Sequence, residues 1–214
     1  MGSGKGKARR AKASSMFQSE EVVCKVSDDG TKDWVLPPGK GHPIGYLHRI
    51  GGPATEYPDG SVAWCEYGVH HRVGGPAIVD VVTGREEWYQ RGVLHRVDGP
   101  AVECRDGSKE WWVSGERHRV DGPAEVSADG VRKWYKHGQF HRVGGPAVEY
   151  PGGSKDWWVD GKRHRVGGPA IELADGTKEW WLDGEEVDEA TVRKADSLER
   201  LGKVEFEPLA RVTF

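Results

Sequence analysis

The dipeptide His-Arg recurs six times in this 214-residue chain, every 23 or 24 residues. The copies are His48-Arg49, His71-Arg72, His95-Arg96, His118-Arg119, His141-Arg142 and His164-Arg165. An imidazole beside a guanidinium can bind an anion, and an imidazole alone can ligate a metal. Ligands of one metal lie about 2 Å from it, whereas equivalent residues of stacked hairpins lie about 9.5 Å apart, so the copies do not share a metal.

The regular recurrence instead favours a role that each unit needs for its own fold. We expect His and Arg to donate hydrogen bonds to loop carbonyls, or Arg to stack on the face of a neighbouring Trp. A ladder of anion contacts is the alternative.

Nothing else in the sequence indicates catalysis. There is no glycine-rich phosphate loop, no nucleophile elbow and no His-Glu-x-x-His motif. The three cysteines, Cys24, Cys65 and Cys104, are far apart and odd in number, which favours free thiols over a disulfide framework or a cysteine metal site. We predict a protein that is not an enzyme and that has no cofactor and no metal.

The His-Arg pairs are one part of a longer repeat. Gly-Pro-Ala begins three residues after each Arg, a further Gly follows the Ala, and a Trp stands four residues after that Gly. These tryptophans are Trp64, Trp88, Trp111, Trp134, Trp157 and Trp180. A first copy around Trp34 has an insertion before His48, and a last copy after Gly176 lacks His-Arg. A fixed period of this length indicates tandem structural units, about seven in number.

Each unit has the pattern of a β-hairpin. Residues 147–150 alternate as a strand, the turn residues 151–153 are Asp-Gly in other copies, and residues 155–159 alternate again. Asp-Gly predicts a two-residue hairpin turn. Gly161 ends the second strand, and residues 162–169 form the return loop. The sequence therefore predicts an all-β fold, an elongated antiparallel sheet or β-solenoid built from about seven hairpins.

The two ends differ from the array over residues 21–187. Residues 1–20 contain five bases that could contact an anionic partner, namely Lys5, Lys7, Arg9, Arg10 and Lys12. This segment cannot build a core, so we expect it to be disordered when free. Its charges could bind nucleic-acid phosphates, dock on an acidic protein, or only aid solubility. We expect no membrane segment and no secretory signal, hence a cytoplasmic or virion-associated protein.

Residues 188–214 predict a cap made of a helix and a strand. Asp188 suits a helix N-cap, and apolar residues follow at three-residue steps from Val192 to Leu201. Gly202 is expected to stop the helix, and residues 204–214 have the pattern of a last strand. The helix is expected to cover the open edge of the sheet.

The repeat resembles MORN-type repeats. More closely, it resembles a variant array of the form D-G-x-x-x-W-W/Y-x-x-G-x-x-H-R-x-D/G-G-P-A, which occurs in uncharacterised bacteriophage and bacterial proteins. The clearest copy here is 106–124, and the resemblance covers 22–187. It implies a long antiparallel sheet that acts as a non-catalytic scaffold, with a phage or bacterial source. The Arg after His and the Gly-Pro-Ala depart from ordinary MORN units, so membrane and lipid roles are not carried over.

Three functions of different classes follow from these patterns. The first is a scaffold that binds another protein or self-assembles. The second is an anionic-polymer binder that acts through the basic segment. The third is a carbohydrate binder, because short Trp-rich hairpins also resemble choline-binding and glucan-binding repeats.

Overall fold

The structure of the chain is a computed structural model that describes residues 21–39 and 44–204. The five bases of the segment 1–20 lie outside the described residues, as do residues 205–214 of the predicted last strand. Among the described residues no helix is long and apolar enough to span a membrane.

The described chain contains 26 short strands and one helix. In order they are β1 (Val23–Val26), β2 (Lys32–Leu36), β3 (Tyr46–Leu47), β4 (Thr55–Glu56), β5 (Val62–Ala63), β6 (Cys65–Glu66), β7 (Val69–His70), β8 (Ile78–Asp80), β9 (Arg85–Glu87), β10 (Tyr89–Gln90), β11 (Val93–Leu94), β12 (Val102–Glu103), β13 (Lys109–Glu110), β14 (Trp112–Val113), β15 (Glu116–Arg117), β16 (Glu125–Val126), β17 (Arg132–Lys133), β18 (Tyr135–Lys136), β19 (Gln139–Phe140), β20 (Val148–Glu149), β21 (Lys155–Asp156), β22 (Trp158–Val159), β23 (Lys162–Arg163), β24 (Ile171–Glu172), β25 (Lys178–Leu182), β26 (Glu185–Val187) and α1 (Glu189–Val204).

One antiparallel sheet of sixteen strands runs through the described chain. Its order is β1, β2, β4, β5, β8, β9, β12, β13, β16, β17, β20, β21, β24, β25 and β26, with β3 pairing β2 beside this row. Strands therefore follow one another in chain order, as expected for hairpins that stack side by side. This arrangement confirms the all-β fold of tandem hairpins with a C-terminal helix.

Each of the five interior units contains a second small hairpin that the sequence did not indicate. In the unit that begins at Ala101, β14 pairs with β15, apart from the main sheet. The prediction that the return loop begins at residue 162 is therefore wrong, because Lys162–Arg163 is β23 and pairs with β22. In the interior repeats the return loop has only six residues, from His to Pro, as in 118–123.

The first Trp of each interior unit is the branch point between the two hairpins. The backbone N–H of Trp111 donates to the carbonyl of Ala124, the first residue of the next unit, at 2.7 Å on the main-sheet side. The Trp111 carbonyl accepts from the N–H of His118 at 3.1 Å, within the small hairpin. One peptide chain therefore leaves the main sheet at this residue, which is why the single long strand predicted over 155–159 is divided at Trp157.

The Asp-Gly turn of the main sheet differs from the two-residue turn that the sequence predicted. At Asp106-Gly107 the N–H of Cys104 donates to the Ser108 carbonyl, which encloses three residues, and only Gly107 has positive φ. The Asp106 carboxylate accepts from the Ser108 N–H at 2.9 Å, which holds the aspartate in the ordinary region. The prediction of a two-residue turn at Asp-Gly is therefore wrong.

The two-residue turn lies in the small hairpin instead. Ser114 and Gly115 both have positive φ, at 53° and 82°, the signature of a type I′ turn, whose twist matches the twist of the flanking strands. Equivalent left-handed pairs stand at Tyr67-Gly68, Arg91-Gly92, His137-Gly138, Asp160-Gly161 and Asp183-Gly184.

The alanine of Gly-Pro-Ala is the most deeply buried position of the repeat. Ala101 has no exposed surface. It accepts from the N–H of Trp88 at 2.8 Å and donates to the Glu110 carbonyl at 2.7 Å. Its backbone thus joins two successive units, and its side chain lies where the units meet. The alanines that share this complete burial are Ala54, Ala77, Ala124, Ala147 and Ala170.

Helix α1 follows the last strand and packs against β25. Asp188 caps it, because its carboxylate accepts from the Thr191 N–H at 2.8 Å, and Val192 is buried. The predicted stop at Gly202 is wrong, since the helix continues to Val204, and Val204 is therefore not in a strand. Only the first half of the predicted apolar face is covered: Leu198 and Leu201 are exposed.

Candidate functional site

Each return loop is folded around its arginine. In the loop 118–123, the guanidinium carbon of Arg119 lies 3.9 Å from the ring centroid of Trp111, and Nη1 donates to the Pro123 carbonyl at 3.1 Å. A Cβ on Gly122 would lie 3.0 Å from the same guanidinium carbon. Arg119, Trp111 and the backbone of Gly122-Pro123 form a compact unit that we call the arginine clasp.

The clasp recurs in every unit that carries His-Arg. Guanidinium carbon and ring centroid are 3.7 to 4.0 Å apart in all six copies. The pairs are Arg49 on Trp34, Arg72 on Trp64, Arg96 on Trp88, Arg119 on Trp111, Arg142 on Trp134 and Arg165 on Trp157. The stacked Trp belongs to the arginine's own unit, and not to a neighbouring one. Trp180, the last of the repeated tryptophans, has no clasp because no His-Arg follows it.

Four of the six arginines also bind a glutamate that the sequence reasoning missed. Arg96 Nη1 lies 2.9 Å from Glu103 Oε1. The other pairs are Arg49–Glu56, Arg142–Glu149 and Arg165–Glu172. A glutamate seven residues after Arg could have indicated this ion pair from the sequence. Two units lack it, because Val79 and Val126 stand seven residues after Arg72 and Arg119.

The histidines act in the opposite sense to the prediction. They accept a hydrogen bond from a backbone N–H, and do not donate this nitrogen to a carbonyl. His95 Nδ1 accepts from the Ser114 N–H at 3.0 Å, and His118 Nδ1 accepts from the His137 N–H at 3.3 Å. Each acceptor faces a residue with positive φ in the next unit, where the turn leaves an N–H that the strands do not use.

A second row of side chains lies along the small hairpins. Arg117 lies 4.6 Å from the Trp112 ring centroid and 5.6 Å from that of Tyr135. Tyr135 stacks on Phe140 at 4.5 Å, and Phe140 lies 5.3 Å from Trp158. Burial raises the pKa of Tyr135 to about 12, so its hydroxyl stays protonated. This row is packing that joins units.

The tryptophans do not form an open stacking platform. None of the ten is exposed, and all lie within the described residues. Six of them carry a guanidinium against one ring face, as in Arg96 on Trp88. A sugar ring stacks on a free aromatic face, so this arrangement weighs against the carbohydrate-binding hypothesis.

The described residues give no support for a metal site or a reactive thiol. Among them no group of three His, Cys, Asp or Glu is placed to hold a metal ion. Cys65 is buried, and burial raises the pKa of its thiol to about 11, so the nucleophilic thiolate is disfavoured. Its Sγ lies 3.4 Å from His70 Nδ1.

No protein-family model matches the chain, and no curated protein matches it. Its site must therefore be argued from its own geometry.

Among the described residues, the most exposed large apolar side chains stand at one position of the return loop. The residue after the clasp arginine is 79% to 85% exposed in five units. These residues are Ile50, Val73, Val97, Val120 and Val143. We call them, together with the equivalent Val166, the apolar row. Val166 is only half-buried and not exposed like the others.

Clefts open between successive return loops of the apolar row. One of about 650 Å³ is lined by Arg119, Val120 and Asp121 of one loop and by His141, Arg142 and Val143 of the next. Another of about 370 Å³ lies on the other side of Val120 and is lined by Val97, Asp98 and Trp111. The loops thus form ridges of rigid backbone, held by the clasps, with grooves between them.

Proposed function

We propose that this protein is a non-catalytic interaction scaffold that binds a protein partner through the apolar row of its return loops. The observation that carries the proposal is the exposure of 79% to 85% at five equivalent positions. Exposing a β-branched residue to water at the same position of five units has no benefit for folding. Exposed apolar residues that recur at one position along an array mark a candidate interaction surface.

The clasp makes this surface suitable for binding. Arg119 is held by Trp111 and by the Pro123 carbonyl, and the loop backbone that carries Val120 is therefore pre-organised. A rigid surface loses little conformational entropy when a partner binds. Array proteins commonly use such repeated surfaces for extended contacts.

The resemblance to MORN-like arrays supports the same scaffold class, and we propose a bacteriophage or bacterial origin on the same basis. The rival hypothesis of an anionic-polymer binder rests on the basic segment 1–20. The two hypotheses therefore place binding on different parts of the chain.

The test is affinity purification from extracts of the source cells. The full-length protein is compared with a variant carrying Val97→Lys and Val120→Lys, with and without nuclease. Both positions are exposed, so the folding cost is expected within about 0.5 kcal/mol. We expect a protein partner that survives nuclease and is lost with the loop variant.

A matched control carries Val26→Lys and Val82→Lys, which add the same charge at exposed valines of β1 and of a main-sheet turn. It should retain the partner. Loss of the partner with nuclease, or with deletion of residues 1–19, would move the function to the basic segment. Equal retention by the loop variant and the control would refute the role of the apolar row.

A further inference from the structure

The last member of the apolar row shows what kind of element can cover it. Val166 is half-buried, whereas its five equivalents are exposed. Next to it, a Cβ on Gly167 would lie 3.2 Å from Oδ1 of Asp196, a residue of α1. The buried Val192 anchors the same helix. An α-helix is therefore the element that lies over this return loop.

The spacing of the remaining loops also suits a helix. Equivalent residues of successive units lie two strands apart, about 9.5 Å. Helix residues seven apart lie on one face and about 10.5 Å apart along the axis, and a modest tilt of the helix makes the two distances equal. Residues on one face of a β-strand repeat every ~6.7 Å, which does not match the spacing of about 9.5 Å between loops.

Charge distinguishes the middle of the row from its end. Asp98 and Asp121 stand directly after Val97 and Val120, where the other units have glycine. Both aspartates are exposed, and within the described residues neither makes a hydrogen bond or an ion pair. At the sixth loop the equivalent residue is Gly167, which lies against the acidic Asp196. A partner element over the middle loops therefore needs Lys or Arg at the position where α1 has Asp196.

We infer that the occupant of the apolar row is an amphipathic α-helix of a partner protein, with aliphatic residues seven apart and Lys or Arg beside them. This inference rests on the proposed function and names its partner class. The five exposed members span four intervals, about 38 Å. With seven helix residues to each interval, this corresponds to a helix of about 29 residues. Aliphatic residues of the helix contact the row, and its bases pair with Asp98 and Asp121.

The test uses synthetic peptides and the full-length protein. The probe is a helical peptide of about 29 residues with Leu at every seventh position and Lys on the same face. One control peptide has the same composition with Leu at every fifth position. A second is proline-rich with Leu at every third position, because polyproline II repeats at a similar distance of about 9.3 Å. Binding is followed by fluorescence anisotropy.

We expect saturable binding of the seven-spaced peptide, weakened at least about tenfold by Val97→Lys with Val120→Lys, since this change removes apolar contacts and adds repulsion. Asp98→Asn with Asp121→Asn should weaken it about threefold and reduce its salt dependence. The variant with Val26→Lys and Val82→Lys should bind like the unmodified protein.

Three results would overturn the inference: no saturable binding of the seven-spaced peptide, equal binding of the five-spaced peptide, or equal binding by the loop variant. Preferential binding of the proline-rich peptide would overturn it in favour of an extended partner. If purification from extract still depends on Val97 and Val120 while no helical peptide binds, only the helix inference fails. If neither depends on them, the proposed function fails too.

Discussion

Nδ1 of His95 accepts a hydrogen bond of 3.0 Å from the backbone N–H of Ser114, which lies in the next unit. Ser114 has the left-handed conformation that an L-residue adopts at a cost. The histidine thus supports a strained turn of its neighbour. The same relationship joins His48 to Tyr67, His71 to Arg91, His118 to His137, His141 to Asp160 and His164 to Asp183.

Replacing this histidine should weaken the contact between two units. We expect His95→Leu to lower the free energy of unfolding by about 1 kcal/mol, the usual net value of one hydrogen bond. Ser114→Gly should recover part of the loss, because glycine adopts positive φ freely. Urea unfolding of both single variants and the double variant measures the coupling. Strict additivity would mean that the bond does not support the turn.

A clasp arginine that also pairs with a glutamate should contribute more to the free energy of unfolding than one that does not. Arg119→Ala removes the Trp111 contact and the Pro123 hydrogen bond, and we expect a loss of about 2 kcal/mol. Arg96→Ala also removes the ion pair with Glu103 and should cost up to about 1 kcal/mol more, because that pair is partly exposed. Thermal and urea unfolding provide the comparison. Unchanged stability of Arg119→Ala would refute the structural role of the clasp.

The glycine before proline should tolerate no side chain. A Cβ at Gly122 would lie 3.0 Å from the Arg119 guanidinium carbon, so we expect Gly122→Ala to cost about 1–3 kcal/mol. Gly152→Ala is the matched control, since a Cβ there meets nothing within 4 Å and its φ is not positive. The control should leave the melting temperature unchanged or slightly raised. Similar effects of the two substitutions would contradict this account.

One position offers a stabilising substitution. Trp112 Nε1 donates to Glu110 at 2.8 Å and Trp181 Nε1 donates to Glu179 at 3.0 Å. The equivalent Trp158 Nε1 is buried without a partner among the described residues, and the acid before it is the shorter Asp156. Asp156→Glu should supply the acceptor and add about 1 kcal/mol. Urea unfolding tests this.

The reverse substitution, Glu110→Asp, should cost a similar amount. Burial also raises the pKa of Asp156, so its charged form opposes folding at neutral pH. A stability loss on Asp156→Glu would show that the packing around Trp158 does not admit a longer side chain.

The turn aspartates should make stability depend on acid. Side-chain and backbone hydrogen bonds from Ser108 hold the pKa of Asp106 below its usual 3.8, and the equivalent bonds lower those of Asp29, Asp80, Asp129 and Asp175. A carboxyl whose pKa is lowered by folding stabilises the fold fully above 3.8, and loses this effect as pH falls through its folded pKa.

We therefore expect the melting temperature to fall as the pH decreases from about 5 to about 3. Asp106→Asn with Asp175→Asn should make this fall shallower, since an amide does not titrate. An equally steep fall in the variant would show that other groups cause the acid sensitivity.

The sequence alone determined the period, the number of units and the β class. His-Arg, Gly-Pro-Ala and Trp keep one phase over six copies, and a hairpin is the structure whose alternation and turns fit within about 23 residues. It also predicted a structural role for the repeated Arg, either a hydrogen bond to a loop carbonyl or stacking on Trp, because a residue present in every unit points to the fold. The helix N-cap at Asp188 could be predicted because capping depends only on residues that are adjacent in the sequence.

Only the tertiary structure decided what depends on contacts between units. The direction of the histidine bond and the branching at Trp111 require the neighbouring unit, which local propensity does not contain. The type of the Asp106-Gly107 turn likewise depends on the register of the strands around it. Above all, the sequence does not reveal that Val97 and Val120 are exposed, and only the path of the return loop around its arginine leaves them facing water.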